Sequence, residues 1–357
     1  MLLFYENSAM LFAMTASQAP RRKQAKPQLS QLAREIGVSA ATVSKVVHGH
    51  PDVSDKTREK VEQALERAGY RRPATARPHS GYLEIAFREL DELWSMEMLR
   101  GLQACANEHG MNVSISELHT LGTPSDDWVE GLIKRNPVGV LLVFTDLTAE
   151  QAAKLARRHI PHAVSDPRGN ALPGSAILRS DSWNGGVTAT RHLIALGHTR
   201  IACISGNRIA AGARAREDGY RFALDEAGIP FDPDLCLPGE FTSKTGYEQA
   251  LKLLRLPNRP TAIFTGNDLQ ALGAYKAARE CGLRIPEDLS IVGFDDIPTA
   301  AMMAPALTTI RNPIAQLAHK AGELLIAMQQ GQPVPHETVF PTSLVVREST
   351  TAPPTQA

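Results

Sequence analysis

The segment "TAIFTGNDLQALGAYKAARECGLRIPEDLSIVGFDD" (residues 261–296) places a strand, a helix and a second strand in succession. The apolar run "TAIFTG" is followed by the polar pair Asn267–Asp268, and the run "LSIVGF" is followed by Asp295–Asp296. The stretch between them carries small apolar residues at helical spacing. Two continuous apolar strands joined by a helix are typical of a parallel sheet that is covered on both faces.

The same alternation extends from this segment in both directions along the chain. Further apolar runs are "YLEIAF", "VGVLLVF", "IPHAVS", "SAILRS" and "RIACISG". Amphipathic stretches such as "MEMLRGLQACANEHG" and "TATRHLIALGH" lie between them. A pattern of this length exceeds one ordinary core, so we expect two doubly wound lobes rather than a single sheet.

A different pattern, over residues 27–72, predicts three short helices. Apolar residues recur at helical spacing in "LSQLAREIG", and Gly37 closes that segment as a helix-ending glycine does. Ser39 occupies an N-cap position before "AATVSKVVHG", and Ser54 does so before "DKTREKVEQALERAGY". The buried stripe of the second helix comprises Val43, Val46 and Val47. Two helices joined by a tight glycine turn, with a longer third helix, form the helix-turn-helix plan.

Charge is unevenly distributed along the chain, although 38 basic and 38 acidic residues balance overall. Residues 21–77 hold 13 lysines and arginines against 6 aspartates and glutamates, whereas residues 78–357 hold 25 against 31. A basic head on an acidic body predicts a polyanionic partner for the head alone. The alternative is a basic surface that is merely solvated.

Several classes of protein are disfavoured by the sequence. No apolar run is long enough to cross a membrane. The cysteines are widely spaced and form no C-x-x-C pair, which argues against a disulfide framework or a metal site and predicts a reducing cytoplasm. They are Cys105, Cys203, Cys236 and Cys281. The N-terminal "MLLFYENSAMLFAM" lacks the basic start of a signal peptide, and an extension upstream of Met10 or Met14 is the other interpretation.

No catalytic motif is recognisable. The sequence contains no nucleophile elbow, no P-loop, no H-E-x-x-H and no G-x-G-x-x-G after a strand. We interpret His198, in "LGHTRIACISG", as a structural turn residue rather than a base. We therefore predict that the protein is not an enzyme and needs no cofactor.

Polar residues follow the predicted strands at the position where doubly wound sheets bind ligands. They are Asp146, Asp166, Asn267, Asp268, Asp295 and Asp296. Arg216 is a bidentate donor near the start of a helix, and Trp94 and Phe241, which we place in loops, offer faces for a sugar ring. Helix capping is the alternative for any single carboxylate. Several together predict a cleft for a hydroxyl-rich small molecule.

These segments together resemble the LacI/GalR family of transcription regulators over roughly residues 28–348. The resemblance is carried by "GVSAATVSKVVHG", "VSDKTREKVEQALERAGY", "LGHTRIACISG", the segment quoted first and "PALTTIRNP". It implies effector contacts at Asp166, Arg216, Phe241, Asn267 and Asp295. It also implies that Ala40, Ala41 and Lys45 face base edges in the major groove.

The residue types of the second helix agree with that implication. With its valines buried, the opposite side offers Ala40, Ala41, Ser44, Lys45 and His48. Alanines can pack against thymine methyl groups, and a lysine can donate to guanine where the family usually has arginine. Candidate phosphate contacts are Ser30, Ser39, Thr42, Ser44 and Arg77.

The linker departs from the family pattern. The family usually carries Ala-Arg-x-Leu, whose leucine wedges into the minor groove, whereas Ala76-Arg77 is followed here by Pro78-His79. A proline limits a short helix and a histidine is not an apolar wedge. We expect weak kinking of the operator, compensated by phosphate contacts from Arg71, Arg72, Arg77 and the arm residues 21–26.

The predicted architecture is a small all-α helix-turn-helix domain followed by a two-lobed α/β core of doubly wound parallel sheets, like that of periplasmic binding proteins. The predicted segments are a disordered extension (1–26), the helix-turn-helix domain (27–72), a linker (73–81), an effector-binding and dimerisation core (82–348) and a disordered tail (349–357). Within the core, the first lobe comprises 82–180 and 311–338, and the second comprises 181–310 and 339–348.

The predicted function is that of a cytoplasmic repressor that binds a pseudo-palindromic double-stranded operator as a homodimer and is released by a small sugar. One alternative is the same regulator with a nucleobase-type co-repressor, because Asp295 and Arg216 do not distinguish a sugar from a purine. A periplasmic sugar-binding protein is a second alternative, against which the basic helices argue. An enzyme that acts on sugars is a third.

Overall fold

A computed structural model of the protein describes residues 29–47, 53–68, 81–90, 93–120, 122–167, 172 and 174–354. The chain divides into two compact units, Met1–Arg77 and Pro78–Ala357. This boundary falls within the predicted linker. The predicted N-terminal extension and residues 73–80 of the linker lie outside the described residues, as do the Pro78-His79 departure and the basic arm.

The described residues of the first unit form three helices that pack around the predicted valine stripe. They are α1 (Leu29–Glu35), α2 (Ala40–Val47) and α3 (Asp55–Arg67). Val43 and Val46 are fully buried against Leu32 of α1 and Val61 of α3. Gly37 has a φ of 65°, and this left-handed conformation ends α1 so that the chain can turn into α2. The helix-turn-helix prediction is confirmed.

The second unit alternates strands and helices along the chain. Its strands are β1 (Tyr82–Phe87), β2 (Asn112–Glu117), β3 (Gly139–Val143), β4 (His162–Ser165), β5 (Ala176–Ser180), β6 (Ile201–Ile204), β7 (Cys236–Leu237), β8 (Ala262–Thr265), β9 (Ser290–Asp295), β10 (Thr308–Arg311), β11 (Glu337–Phe340) and β12 (Ser343–Val345). Its helices are α4 (Leu93–Glu108), α5 (Asp126–Arg135), α6 (Ala149–Arg157), α7 (Ser182–Ala195), α8 (Ala211–Glu226), α9 (Ser243–Leu254), α10 (Asp268–Glu280) and α11 (Ile314–Gln329). Short 3-10 helices occupy Pro233–Leu235 and Pro298–Met302.

Two six-stranded sheets form the two predicted lobes. The first has the order β11-β5-β4-β3-β1-β2 and is parallel throughout. The second has the order β12-β10-β9-β8-β6-β7, with β12 antiparallel and the other strands parallel. In each sheet the strand order reverses beside the first strand of the lobe. Such reversals open a crevice at the carboxyl ends of the strands, where ligands bind.

Burial on both faces explains the continuous apolar runs. In β1, Leu83 and Ile85 pack into one hydrophobic cluster with α4 and α11, while Ala86 packs into a second cluster with α5 and α6. A strand covered by helices on each side has no solvent-facing position for polar residues. Among the described residues, no helix is long and apolar enough to cross a bilayer.

The chain crosses between the lobes three times, and two of these crossings lie a few residues from the predicted lobe boundaries. It leaves the first sheet after Ser180, returns after Arg311 and leaves again after Phe340. Arg311, predicted in the first lobe, therefore ends a strand of the second. Val339 and Phe340, predicted in the second lobe, pair with β5 in the first because the last strand of that sheet extends two residues further.

The prediction of a disordered tail from residue 349 is wrong for residues 349–354. The Ser349 side chain is fully buried and its hydroxyl donates to the Ile291 carbonyl at 2.6 Å. The Thr351 amide donates to Ser290 Oγ at 3.0 Å. These polar contacts attach the segment to β9, and the local sequence does not reveal them because they join residues about 60 positions apart.

Candidate functional sites

The face of α2 opposite its buried valines is small and polar. Ala40, Ala41 and Lys45 are exposed, and Thr42 and Ser44 are half-buried beside them. Ser30, on α1, and Ser39, before α2, are also exposed. The structure thus brings these seven predicted contacts to the surface of one unit, whereas His48 and Arg77 lie outside the described residues.

A pair of hydroxyls marks the start of α2. The Ser39 hydroxyl accepts a hydrogen bond from the Thr42 amide at 2.9 Å, which makes Ser39 the predicted N-cap. The Ser39 and Thr42 hydroxyls lie 2.8 Å apart, so one donates to the other. The proton of the second hydroxyl remains available, next to the positive end of a helix, and this arrangement suits an anion such as phosphate.

A cavity lies between the two lobes of the second unit, at the carboxyl ends of their strands. The first lobe contributes residues that follow β1, β3 and β4, and the second contributes residues that follow β6 and β7. The lining comprises Phe87, Arg88, Glu89, Trp94, Ser95, Val143, Phe144, Asp166, Asn207, Ile209, Ala210, Glu240 and Phe241. Both sheets therefore present their reversal points to the same space.

Aromatic side chains form opposite walls of this cavity. Trp94 and Phe144 stack with ring centroids 4.9 Å apart on the first lobe, and Phe241 faces the cavity from the second. The prediction that Trp94 lies in a loop is wrong, because α4 begins at Leu93 and the indole is buried in its first turn. Phe241 does lie in a loop, with a left-handed φ of 63°.

A guanidinium lies beside a buried carboxylate behind Phe241. Arg216 Nη2 is 3.7 Å from Asp295 Oδ1, and Arg216 Nη1 donates to the Gly266 carbonyl. The guanidinium carbon lies 3.6 Å from the centre of the Phe294 ring and 5.6 Å from that of Phe241. The Arg216 Nε atom is buried and has no hydrogen-bond partner among the described residues. The described residues thus leave this cationic group incompletely satisfied.

Burial dominates the ionisation of this cluster. It raises the pKa of Asp166 to about 6, and the nearby charges of Arg216 and Arg179 only partly oppose it. Burial also raises the pKa of Asp295, against the influence of Arg216 and a hydrogen bond from Asn312. Asp166 and Asp295 both have positive φ values, 48° and 105°. Strained backbone and perturbed carboxylates in one place are a combination found at functional sites.

Asn267 supports the loop that carries Phe241 rather than lining the cavity itself. Its side-chain oxygen accepts from the Gln270 amide at 2.9 Å and caps α10, while its Nδ2 donates to the Phe241 carbonyl at 2.8 Å. The Phe241 ring lies directly over Gly206, where any β-carbon would meet it at 2.0 Å. Asn267 and Gly206 together hold Phe241 in its left-handed conformation.

The structure divides the six predicted effector residues into two groups. Trp94, Asp166 and Phe241 line the cavity, whereas Arg216, Asn267 and Asp295 lie behind its second-lobe wall. The sequence reading missed several lining residues, of which the clearest are Phe144, Asn207, Ile209 and Glu240. Phe144 ends one predicted strand and Asn207 directly follows another, so aromatic and amide side chains at strand ends mark lining positions as carboxylates do.

Other strand-end carboxylates stabilise the fold. Asp268 is buried and accepts hydrogen bonds from Thr309 Oγ1 at 2.6 Å and the Ile297 amide at 2.9 Å. Asp296 forms ion pairs with Arg311 and Arg347. His198 is buried against Thr261, as the structural interpretation predicts. Within the described residues, no three His, Cys, Asp or Glu side chains cluster as a metal site requires.

Two family models match the chain. Residues 28–73 match "Bacterial regulatory proteins, lacI family", and residues 190–350 match "Periplasmic binding protein-like domain". The first match covers the three helices of the first unit, and the second covers most of the second lobe together with α11 and β11 of the first lobe.

Known proteins resemble the chain over most of its length. The HTH-type transcriptional regulator DegA of Bacillus subtilis is 32% identical over 91% of this chain and 98% of its own length. The complex of the transcriptional regulator CelR with cellobiose is 29% identical, with a TM-score of 0.67 over 90% of this chain and 99% of that one. The lac repressor dimer bound to operator and the anti-inducer ONPF is 29% identical, with a TM-score of 0.66 over 91% and 99%.

Proposed function

The chain belongs to the lacI family of bacterial regulatory proteins, and from this premise we propose that it is a cytoplasmic repressor whose affinity for its operator is lowered by a sugar. The chain is a DNA-binding transcriptional regulator rather than an enzyme, as its relatives are. The observation that carries the sugar proposal is the aromatic-walled cavity backed by carboxylates and a guanidinium.

The exposed face of α2 suits the major groove of DNA. Ala40 and Ala41 can contact thymine methyl groups, and Lys45 can donate to guanine O6 or N7. The Ser39 and Thr42 hydroxyls, 2.8 Å apart at the helix start, suit a backbone phosphate. In this proposal the hydroxyls at the start of α2 position the helix on the DNA backbone, and Ala40, Ala41 and Lys45 contact the bases.

The interlobe cavity suits a hydroxyl-rich ring. Aromatic faces pack against the C–H faces of a sugar, while carboxylates accept its hydroxyl protons. Trp94 and Phe144 supply one wall and Phe241 supplies the other. Asp166 supplies a carboxylate directly at the cavity. The cellobiose complex of a relative with 29% identity supports a sugar at this site.

The switch requires that the sugar bind one arrangement of the lobes more tightly than another. A ligand held by Asp166 on the first lobe and Phe241 on the second favours a closed core. We propose that two copies bind a pseudo-palindromic operator and that closure weakens this binding; the operator complex of the lac repressor dimer supports the assembly. A coupling of about 1–3 kcal/mol, typical of allostery, lowers operator affinity by about 5- to 150-fold.

The test combines DNA footprinting with ligand titration. Footprinting upstream of the protein's own gene and of neighbouring sugar genes is expected to reveal a protected palindrome. A panel of mono- and oligosaccharides is expected to contain one sugar that abolishes protection and gives a calorimetric binding isotherm. The Asp166→Asn variant should lose that isotherm, and Asp225→Asn, on the exposed surface of α8, is the matched control.

Three outcomes are informative. Absence of any protected palindrome contradicts the operator proposal. If operator binding responds to no sugar but does respond to a nucleobase, the effector is of the nucleobase type and the sugar proposal is wrong. Tighter DNA binding in the presence of a sugar would reverse the direction of the switch while retaining the site.

A further inference from the structure

Two cysteines that are distant in sequence lie side by side in the second lobe. Cys203 is on β6 and Cys236 on β7, and the parallel register pairs them directly. Neighbouring strands lie about 4.8 Å apart, which is within the Cα separation that a disulfide spans. Both residues are free thiols. The prediction against a disulfide framework rested on sequence spacing, which does not reveal this register.

The surroundings of Cys236 favour its thiolate. The two thiols are neighbours in this register, and their interaction lowers the pKa of Cys236 and raises that of Cys203. The positive charges of Arg221 and Arg208 also lower the pKa of Cys236, although burial and the Glu217 carboxylate oppose them. A thiolate stabilised by guanidinium groups is the nucleophilic form of cysteine.

We propose that Cys203 and Cys236 form a peroxide-sensitive dithiol, a modification site whose disulfide shifts one wall of the interlobe cavity. The Cys236 thiolate attacks one oxygen of hydrogen peroxide, so that an S–O bond forms, the O–O bond breaks and hydroxide leaves to become water. Cys203 then attacks the sulfenic sulfur; an S–S bond forms and a second water carries away the oxygen and the Cys203 proton. The two thiols lose two electrons, which reduce the peroxide.

Burial selects the oxidant. Cys203 is 1% exposed and Cys236 is 6% exposed, so a bulky disulfide such as glutathione disulfide cannot reach either sulfur. Hydrogen peroxide is only slightly larger than water. We expect peroxide to approach Cys236 from the side of Arg208 and Arg221, because both arginines are exposed and their charges act on this thiol.

The position of the pair connects it to the cavity. β7 is a two-residue strand at the edge of its sheet, hydrogen-bonded to β6 alone, so it can move towards β6 when the bond forms. A disulfide brings its Cβ atoms to about 3.8 Å, closer than the strand spacing. Gly239, Glu240 and Phe241 follow β7, and Glu240 accepts a hydrogen bond from Asn207, which follows β6. The strand shift therefore reaches cavity-lining residues, whichever ligand the cavity holds.

The experiment treats the reduced full-length protein with excess hydrogen peroxide. Two of its four thiols should disappear, a peptide cross-link between Cys203 and Cys236 should appear by mass spectrometry, and a reductant should reverse both. Hydrogen exchange of the Gly239–Phe241 amides should differ between the reduced and oxidised forms, whereas that of β3, in the other lobe, should not.

Substitutions identify the role of each sulfur. Cys236→Ser should abolish the reaction, and Cys203→Ser should leave a sulfenic acid at Cys236 that dimedone traps. Cys281→Ser is the control, because Cys281 is the more exposed thiol yet has no paired cysteine among the described residues. Differential alkylation of the wild-type protein gives the same assignment if a variant does not fold. If Cys281 is oxidised before Cys236, or if all four thiols remain, the proposal of a peroxide-sensitive dithiol is wrong. If the hydrogen exchange of the Gly239–Phe241 amides is the same in the reduced and oxidised forms, the disulfide does not affect the cavity.

Discussion

Asp166 is a carboxylate whose charge the folded core disfavours. Burial raises its pKa from 3.8 to about 6, so the folded state binds a proton more tightly than the unfolded chain does. Its contribution to stability is therefore complete below about pH 4 and is lost as the pH rises through 6. Asp166→Asn, which cannot ionise, should make the ligand-free protein more stable at pH 7 by about 1–3 kcal/mol.

Urea denaturation of both proteins between pH 4 and pH 7 measures this effect. The difference in unfolding free energy should grow with pH and should vanish near pH 4. His162 acts in the opposite direction, because burial lowers its pKa to about 4 and its contribution to stability falls as the pH falls. His162 is present in both proteins and cancels in their difference. A difference independent of pH would show that Asp166 titrates normally.

Lys45 should determine the recognition of one base pair. A lysine lacks the planar fork with which arginine grips guanine, so Lys45→Arg should improve discrimination at that position, and Lys45→Ala should lose about 1–3 kcal/mol of it. Competition binding with single-base operator variants at fixed salt measures both changes. Lys60→Ala, an exposed lysine of α3, is the control and should leave discrimination unchanged. Equal loss on every sequence would instead identify Lys45 as a phosphate contact.

At the scale of elements, α9 and α10 pack so closely that glycine is required at their contact. A β-carbon at Gly273 would lie 2.1 Å from the Ser243 carbonyl oxygen and 2.4 Å from the Tyr247 nitrogen, both of them backbone atoms of α9. The same restriction applies at Gly246, where the Gln270 carbonyl oxygen would lie 2.3 Å away. The two helices cannot separate without disturbing Asn267 and the loop of Phe241.

Gly273→Ala should therefore destabilise the protein by about 3 kcal/mol, the upper part of the range for overpacking. Gly212→Ala provides the control because its nearest atom is the Ser182 hydroxyl at 3.4 Å, an ordinary contact. Removing a glycine from helix α8 should be neutral or stabilising by up to about 1 kcal/mol. Thermal unfolding of both variants measures the contrast, and similar shifts in the two would contradict a specific role for the contact.

The strands show how far the sequence could predict the fold. Seven apolar runs predicted strands that the structure contains, because strands buried on both faces need apolar residues throughout. Five strands were not predicted. β2 and β11 are edge strands that mix exposed and half-buried residues, and the edge strands β7 and β12 have only two and three residues. The fifth, β10, begins with two polar residues, Thr308 and Thr309. Edge strands are specified by the pairing of distant segments, which leaves little trace in the local sequence.

The same distinction applies to the candidate sites. The valine stripe and cap of α2 follow from local spacing, so its exposed face was predictable. The cavity depends on which strand ends meet across two lobes. Residue type and family resemblance indicated Asp166 and Phe241, whereas the stacking of Trp94 on Phe144 required the fold.

At the scale of the core, the three crossing segments are the connections about which the lobes can move. They include Asp181, Asn312 and Thr342. Thr342 Oγ1 donates to the Asp181 carbonyl at 3.1 Å, which joins two of the crossings. Asn312 Nδ2 donates to Asp295 Oδ1 at 3.1 Å, which joins the third crossing to the carboxylate beside Arg216. Asn312 is thus the direct link between the lobe connections and the charged cluster behind the cavity.

Asn312→Ala should therefore change ligand response as well as stability. Loss of a hydrogen bond to a buried carboxylate should cost about 1–3 kcal/mol of unfolding free energy and should weaken the effect of the sugar on operator binding. Thr342→Val removes a crossing hydrogen bond without touching Asp295, so it should lower stability while leaving ligand affinity within about twofold, a change of about 0.4 kcal/mol. Calorimetric titration and operator binding of both variants separate the two effects. If the variants lose ligand response equally, the lobe connections act together and Asp295 has no special part in the coupling.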